Sequence, residues 1–182
     1  MDTSIIKNEL NEKLKEFSLN QYAFFNPDVI IFSEDVRKMC ESNACGKYGT
    51  NWQCPPAVGS VAENCEKCRN YDNALVFNTV NEIEDSFDFE GMMEAGAKHK
   101  KKAFEIREYM RSLNCDFLMF GAGGCAECSK CAYLDGEPCR KPNDVMPAME
   151  ACGIYVVDLC EATGLKYING QNTVTYFSLI LF

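Results

Sequence analysis

A cysteine run inside a glycine-rich turn constrains this chain more than any other feature. Between Gly121 and Cys139 the sequence reads G-A-G-G-C-A-E-C-S-K-C-A-Y-L-D-G-E-P-C, so Cys125, Cys128 and Cys131 recur at two-residue gaps and Cys139 follows after a gap of seven residues. A two-residue gap is about one tight turn, so three such thiols can wrap the corners of one small object. This is the ligand rhythm of the bacterial iron–sulfur run, which closes with a fourth cysteine nearby. Structural zinc sites usually place their thiolates in two separated pairs, and an unbroken triplet fits them less well. Gly121, Gly123 and Gly124 allow close backbone approach and inward-turned N–H groups that hydrogen-bond anionic sulfur. The stretch reads as a metal site, with Gly123 and Gly124 as its cofactor-facing backbone.

The rest of the composition narrows the setting. With 182 residues the chain suits one domain with a real core. A net charge of −9 disfavours a generic nucleic-acid surface. The start, M-D-T-S-I-I-K-N-E-L, lacks the pattern of a signal peptide, and no apolar run approaches the ~18 residues needed to cross a bilayer. The expectation is a cytoplasmic protein with neither membrane nor nucleic acid as partner. In a reducing cytosol, twelve cysteines point to metal or redox chemistry rather than to disulfides. The one histidine, His99, lies in K-H-K-K-K and reads as solvated surface.

A second cysteine region lies upstream: Cys40, Cys45 and Cys54 in the spacing C-x4-C-x8-C, followed by Pro55 and Pro56. Proline directly after cysteine also ends the bacterial iron–sulfur run. These three thiols, with or without Cys65 or Cys68 from the next helix, make a second candidate metal site, which Tyr48 and Trp52 would shield from water. Cys65 and Cys68 read equally well as a buried helical face or a zinc-type pair. Cys139, further along the chain than the ferredoxin spacing requires, is also a candidate to cross to this second site.

Apolar periodicity supplies the frame. Ile5, Ile6, Leu10, Leu14 and Phe17 predict an amphipathic helix over residues 1–17. An extended piece from Tyr22 and a short strand at Val29–Phe32 precede a helix capped by Ser33 that delivers Cys40. A helix carrying Cys65 and Cys68, a strand over Ala74–Val80, a long helix over Glu90–Leu113 and a strand over Cys115–Phe120 follow. Lys98, Lys100, Lys101 and Lys102 read as a wet face, or alternatively as a docking patch for an acidic partner. Beyond Cys139 come a predicted helix over Asn143–Ala151, a short helix over Asp158–Thr163 and a strongly apolar strand over Thr173–Phe182. That last strand must be buried, in the sheet or against a second copy of the chain, which raises a homo-oligomer as an expectation. The fold class predicted is α/β: a single domain over residues 1–182, a mixed sheet flanked by helices with cysteine-rich metal-binding loops.

Taken together, C-x4-C-x8-C-P-P, G-G-C-x2-C-x2-C with D-G-E-P-C-R-K-P, P-A-M-E-A-C-G-I-Y-V and the apolar end strand resemble a known family. It is the cysteine-rich predicted metal-binding protein family, a domain of unknown function, of anaerobic bacteria and archaea. The resemblance spans about residues 36 to 182, and D-G-E-P-C-R-K-P is its most specific part. It implies Cys40, Cys45, Cys54, Cys125, Cys128, Cys131 and Cys139 as metal ligands, and it supplies no reaction.

Three functions follow from these readings. The first is a small redox protein carrying one or two 4Fe-4S clusters and passing single electrons to a partner protein in anaerobic metabolism. The second is an enzyme whose three-cysteine cluster keeps one iron open as a Lewis acid or redox centre, with Lys47, Tyr48, Arg140 and Lys141 beside an anionic substrate. The third is a zinc-stabilised binding module.

Overall fold

The computed structural model describes residues 3–182, so Met1 and Asp2 of the predicted first helix lie outside the described residues. Strands β1 (Gln21–Phe25), β2 (Ala74–Glu82), β3 (Leu118–Phe120) and β4 (Thr173–Leu181) form one sheet in the order β1-β2-β4-β3. Helices α1 (Thr3–Leu14), α2 (Glu34–Glu41), α3 (Val61–Cys68), α4 (Phe89–Ser112) and α5 (Val156–Thr163) cover its faces. The α/β class is as expected. The sheet is antiparallel in all three strand pairings rather than mixed; the isolated Gly121–Ala148 bridge is parallel. Long connections here return the chain in the opposite sense, so no parallel crossover unit is built.

Side-chain alternation along the two central strands divides the core in two. Leu75, Phe77 and Ile180 face a layer made by Ile6, Leu10 and Leu14 of α1 and Ala103, Ile106 and Met110 of α4. Ala74, Val76, Leu179 and Leu181 face the other way, onto Ile154, Val156, Leu159 and three cysteines, Cys68, Cys152 and Cys160. Strand β4 is paired on both sides, by β2 and by β3. The apolar chain end is therefore buried within this molecule, and its hydrophobicity calls for no second copy.

Local chemistry sets the helix starts. Ser33 accepts the Asp35 N–H at 3.2 Å before α2, and Ser60 and Glu63 form a reciprocal capping box before α3. Asp88 accepts the Gly91 N–H at 2.8 Å before α4. Two predicted elements are absent. Val29–Phe32 is not a strand: residues 27–29 form a 3-10 turn opened by Pro27, and Phe32 alone pairs, with Ile154. Asn143–Ala151 is not a helix either. It is a strap with short turns at Pro142–Asp144 and Glu150–Cys152, because Pro147 lacks the N–H a helix would use and its carbonyl instead takes the Gly121 N–H at 2.9 Å.

His99 is the clearest correction. It is 1% exposed, not solvated, and its ring lies 2.9 Å from Thr79 Oγ1 and 2.9 Å from Ser178 Oγ. Burial holds its pKa down at about 4, so the imidazole is neutral near pH 7. The adjacent lysines diverge around the helix: Lys98 pairs with Glu94 at 2.8 Å on the surface, while Lys102 donates to the Phe17 carbonyl at 2.6 Å. Among the described residues, no helix is long and apolar enough to cross a membrane.

Candidate metal centre

All twelve cysteines are free thiols. The fold sorts them into three groups. Cys125, Cys128, Cys131 and Cys139 line one narrow cavity of about 20 Å³, together with Trp52, Glu127, Arg140 and Lys141. Cys40, Cys45 and Cys54 line a second, roomier cavity of about 370 Å³ with Lys47, Tyr48, Gly123, Gly124 and Glu150. Cys68, Cys152 and Cys160 belong to the apolar core, where burial pushes their thiols up to about 12, 12 and 11 and keeps them protonated. Cys115 reaches the Met110 carbonyl at 3.8 Å and, like Cys65, lines neither cavity.

The four-cysteine site is made by the loop that follows β3. The Gly121–Ala148 bridge ties the start of this loop to the strap. Near its end, a short turn at Ala132–Asp135 closes on Gly136 at φ 71°, a left-handed position that suits glycine. The Lys141 N–H donates to Cys139 Sγ at 3.4 Å, and the Glu127 N–H donates to the Cys125 thiol. Cys139 thus shares a cavity with the triplet and does not cross to the upstream thiols. Trp52 also lands here: its indole N–H donates to the Glu137 carbonyl at 3.3 Å, and its ring meets Tyr133 edge-on at 5.2 Å. Tyr48 lines the three-cysteine cavity as expected, but Trp52 shields the other one.

The three-cysteine site draws on the end of α2, the loop behind it, and both sides of the strap. Cys40 is the next-to-last residue of α2. One turn earlier, Arg37 is buried and donates from Nη1 to the Ala151 carbonyl at 2.6 Å, locking the helix to the turn that carries Glu150. Gly123 and Gly124 belong to the four-cysteine loop but line this cavity; a Cβ on Gly124 would meet the Lys47 side chain at 3.2 Å. The two glycines form a wall between the sites rather than a cradle for the four-cysteine group alone.

Electrostatics couples these thiols. Desolvation raises the pKa of Cys40, Cys54 and Cys125, and neighbouring thiolates add to it: Cys45 and Cys54 act on Cys40, Cys45 and Cys125 on Cys54, and Cys131 on Cys125. Cys125 acts on Cys54 across the wall, so the two sites adjoin. Glu150 adds its charge at Cys40, and desolvation pushes its own carboxyl pKa up. Ionising these seven thiols to bind a metal would call for compensating positive charge.

Two buried nitrogen donors offer a test of fit. Gln53, beside Cys54, is 2% exposed, and its Nε2 has no hydrogen-bond partner among the described residues. Lys100, expected on a wet face, has its Nζ buried without a hydrogen bond, 3.6 Å from Glu127 Oε1 and close enough to lower the Cys125 pKa. Lys100 therefore brings a buried cation to the Cys125 side, and Gln53 leaves a buried N–H donor next in sequence to Cys54, both of the kind an anionic sulfur-rich group would use. Among the described residues, no three His, Cys, Asp or Glu side chains are drawn together tightly enough to hold one metal ion.

The family model described as "Predicted metal-binding protein (DUF2284)" matches residues 23–182. This chain belongs to that family. Both cysteine cavities of this predicted metal-binding protein fall inside the matched region, and the match starts within β1, so α1 stands outside it. No curated protein and no solved structure matches the chain.

Of these features, the seven candidate ligands were legible from spacing. Glu150 was missed. Nothing in P-A-M-E-A-C marks it, because only the long-range contact between Arg37 and Ala151 brings it to Cys40.

Proposed function

We propose that this chain is an iron–sulfur electron carrier holding two 4Fe-4S clusters, one on Cys125, Cys128, Cys131 and Cys139 and one on Cys40, Cys45 and Cys54. The observation that carries the reading is the side-by-side placement of two thiol-lined cavities, close enough for the charge of Cys125 to act on Cys54. Four thiols on one cavity and three on the next suit polynuclear groups whose metal atoms each take one thiolate; a lone zinc ion, with Zn–S bonds of about 2.3 Å, takes all its thiolates at one point. The clusters would supply one-electron chemistry. The protein's own contribution is to exclude water with Trp52 and Tyr48, to donate N–H groups to sulfur from Glu127 and Lys141, and to offset negative charge with Lys47 and Lys100.

A reducing, cytoplasmic setting accords with twelve free thiols. A redox partner would land in the open cleft of about 780 Å³ beside the four-cysteine site, lined by Arg107, Arg111, Arg140 and Lys141. These cations are partly offset, since Arg107 and Arg111 both pair with Glu108 and Asp144. On a chain of net charge −9 they still favour an acidic patch on the partner.

A second reading, an enzyme with an open iron, is favoured by one observation: the upstream cavity has three thiols and room for more than a cluster's ligands. Anaerobic reconstitution followed by iron, sulfide and zinc analysis and by EPR of the dithionite-reduced protein tests the proposal. We expect about eight iron and about eight sulfide per chain and two interacting paramagnets. Zinc without sulfide would overturn it.

A further inference from the structure

We infer that the Glu150 carboxylate is the fourth ligand of the three-cysteine centre, an oxygen donor that a small anionic ligand can replace. The inference rests on the iron–sulfur reading and goes beyond it by assigning the position that the cysteines leave open. Apart from the thiols, the side chains with donor chemistry in this cavity are Lys47, Tyr48 and Glu150. An ammonium has no lone pair to offer and a phenol hydroxyl is a poorer metal ligand than a carboxylate, the hard anionic donor that iron accepts.

The mounting of Glu150 points the same way. Its turn is fastened to α2 on both sides: Arg37 donates to Ala151 O at 2.6 Å, and the Ser33 N–H donates to Gly153 O at 2.8 Å. Gly153 closes the turn at φ 84°, where a Cβ would press on Val61 at 2.8 Å and Ser33 O at 3.2 Å. Cys40 and Glu150 are thus held as one rigid unit, as the ligands of one centre must be. Neither Arg37 nor Gly153 touches the cavity, so this bracing serves the relative position of the two side chains.

The surroundings leave room for exchange. Glu150 and Gly123 also line an adjoining cavity of about 210 Å³ with Tyr167, Thr175 and Tyr176. Glu150 thus borders both that space and the thiol-lined one. Lys47 at the thiol side places a cation where an incoming anion would arrive. The four-cysteine cavity, at about 20 Å³, has no comparable vacancy.

Cyanide is the probe, titrated into reduced, reconstituted wild-type protein and into Glu150→Ala and Glu150→Cys, with iron and sulfide content measured for each. In the wild type, cyanide should change the EPR signal of one centre and leave the other alone. Glu150→Ala should bind cyanide about tenfold or more tightly, because no resident ligand competes. Glu150→Cys should shift the signal toward that of an all-thiolate cluster and lose the response. If Glu150→Ala loses the centre while Glu150→Cys keeps it, the ligand role is likewise supported. Loss of the centre in both variants, or cyanide responses indifferent to residue 150 in fully loaded protein, would overturn the inference while leaving the clusters standing. Failure of the wild type to take up iron and sulfide would instead bring down the iron–sulfur reading.

Discussion

The two cysteine sites are built from opposite principles. The four-cysteine site comes from one local segment, Cys125 to Cys139, and closes to about 20 Å³; the three-cysteine site is assembled from α2, the loop after it and the strap, and keeps about 370 Å³. A short loop with two-residue gaps carries its geometry in its own backbone. The upstream site gets its geometry from tertiary bracing such as the Arg37–Ala151 hydrogen bond. A closed set of four thiols suits electron transfer without ligand change. Three thiols beside a spacious cavity suit a centre whose coordination can change.

Removing one thiol from each site breaks the comparison most directly. Cys131→Ser should lose about four of roughly eight iron and leave the upstream cluster's spectrum intact. Cys54→Ser should do the reverse. If either substitution emptied both cavities, the wall of Gly123 and Gly124 would separate nothing, and a single shared centre would replace two.

Whether the upstream site has three thiols or four turns on Cys152, two residues from Glu150 and fully buried in the core. Cys152→Ala should leave the iron content unchanged and lower stability by about 1–2 kcal/mol, the scale for deleting one small buried group. Chemical denaturation of the loaded protein measures the second effect and iron analysis the first. A loss of iron would make Cys152 a ligand and end the contrast drawn here.

The sequence exposed the local site far better than the distributed one. Two-residue gaps and flanking glycines gave Cys125, Cys128 and Cys131 away, and apolar periodicity gave α4, β2 and β4. Glu150 stayed hidden because its role depends on a contact between residues 37 and 151, which no window along the chain contains. His99 was misread for a different reason. Its lysine neighbours are adjacent in sequence but point elsewhere, since each helical residue turns about 100°. The signal was present at i±4: Ala95 and Ala103, on the same stripe, are both buried. Cys68, Cys152 and Cys160 show the converse limit, because a cysteine in a metal-binding chain can still be simple core filling.

His99 also separates the acid response of the frame from that of the two centres. Its folded pKa is held at about 4, against an ordinary value of 6.5. Below about pH 6.5 the unfolded chain takes up a proton that the native one refuses, so stability is complete above that pH and declines toward pH 4. The slope approaches about 1.4 kcal/mol per pH unit. Denaturant midpoints of the wild type should therefore fall between pH 7 and pH 5 more steeply than those of His99→Asn, at equal iron content. Equal slopes would place the acid sensitivity in the clusters.

The smallest expected effect tests whether the two centres can be tuned apart. Lys100 reaches from α4 to the four-cysteine loop, and its charge is felt at Cys125. Reduction adds an electron to an already anionic centre, and a buried cation nearby makes that step easier. Lys100→Met keeps the aliphatic stem packed near Phe104, whose ring centre lies 5.2 Å from Nζ, while deleting the charge. The four-cysteine centre should then become harder to reduce in a redox titration followed by EPR, while the three-cysteine centre, which answers to Lys47, keeps its potential. Equal shifts in both would mean that the glycine wall, thin enough for Cys54 and Cys125 to interact, does not insulate one centre from the other's charges.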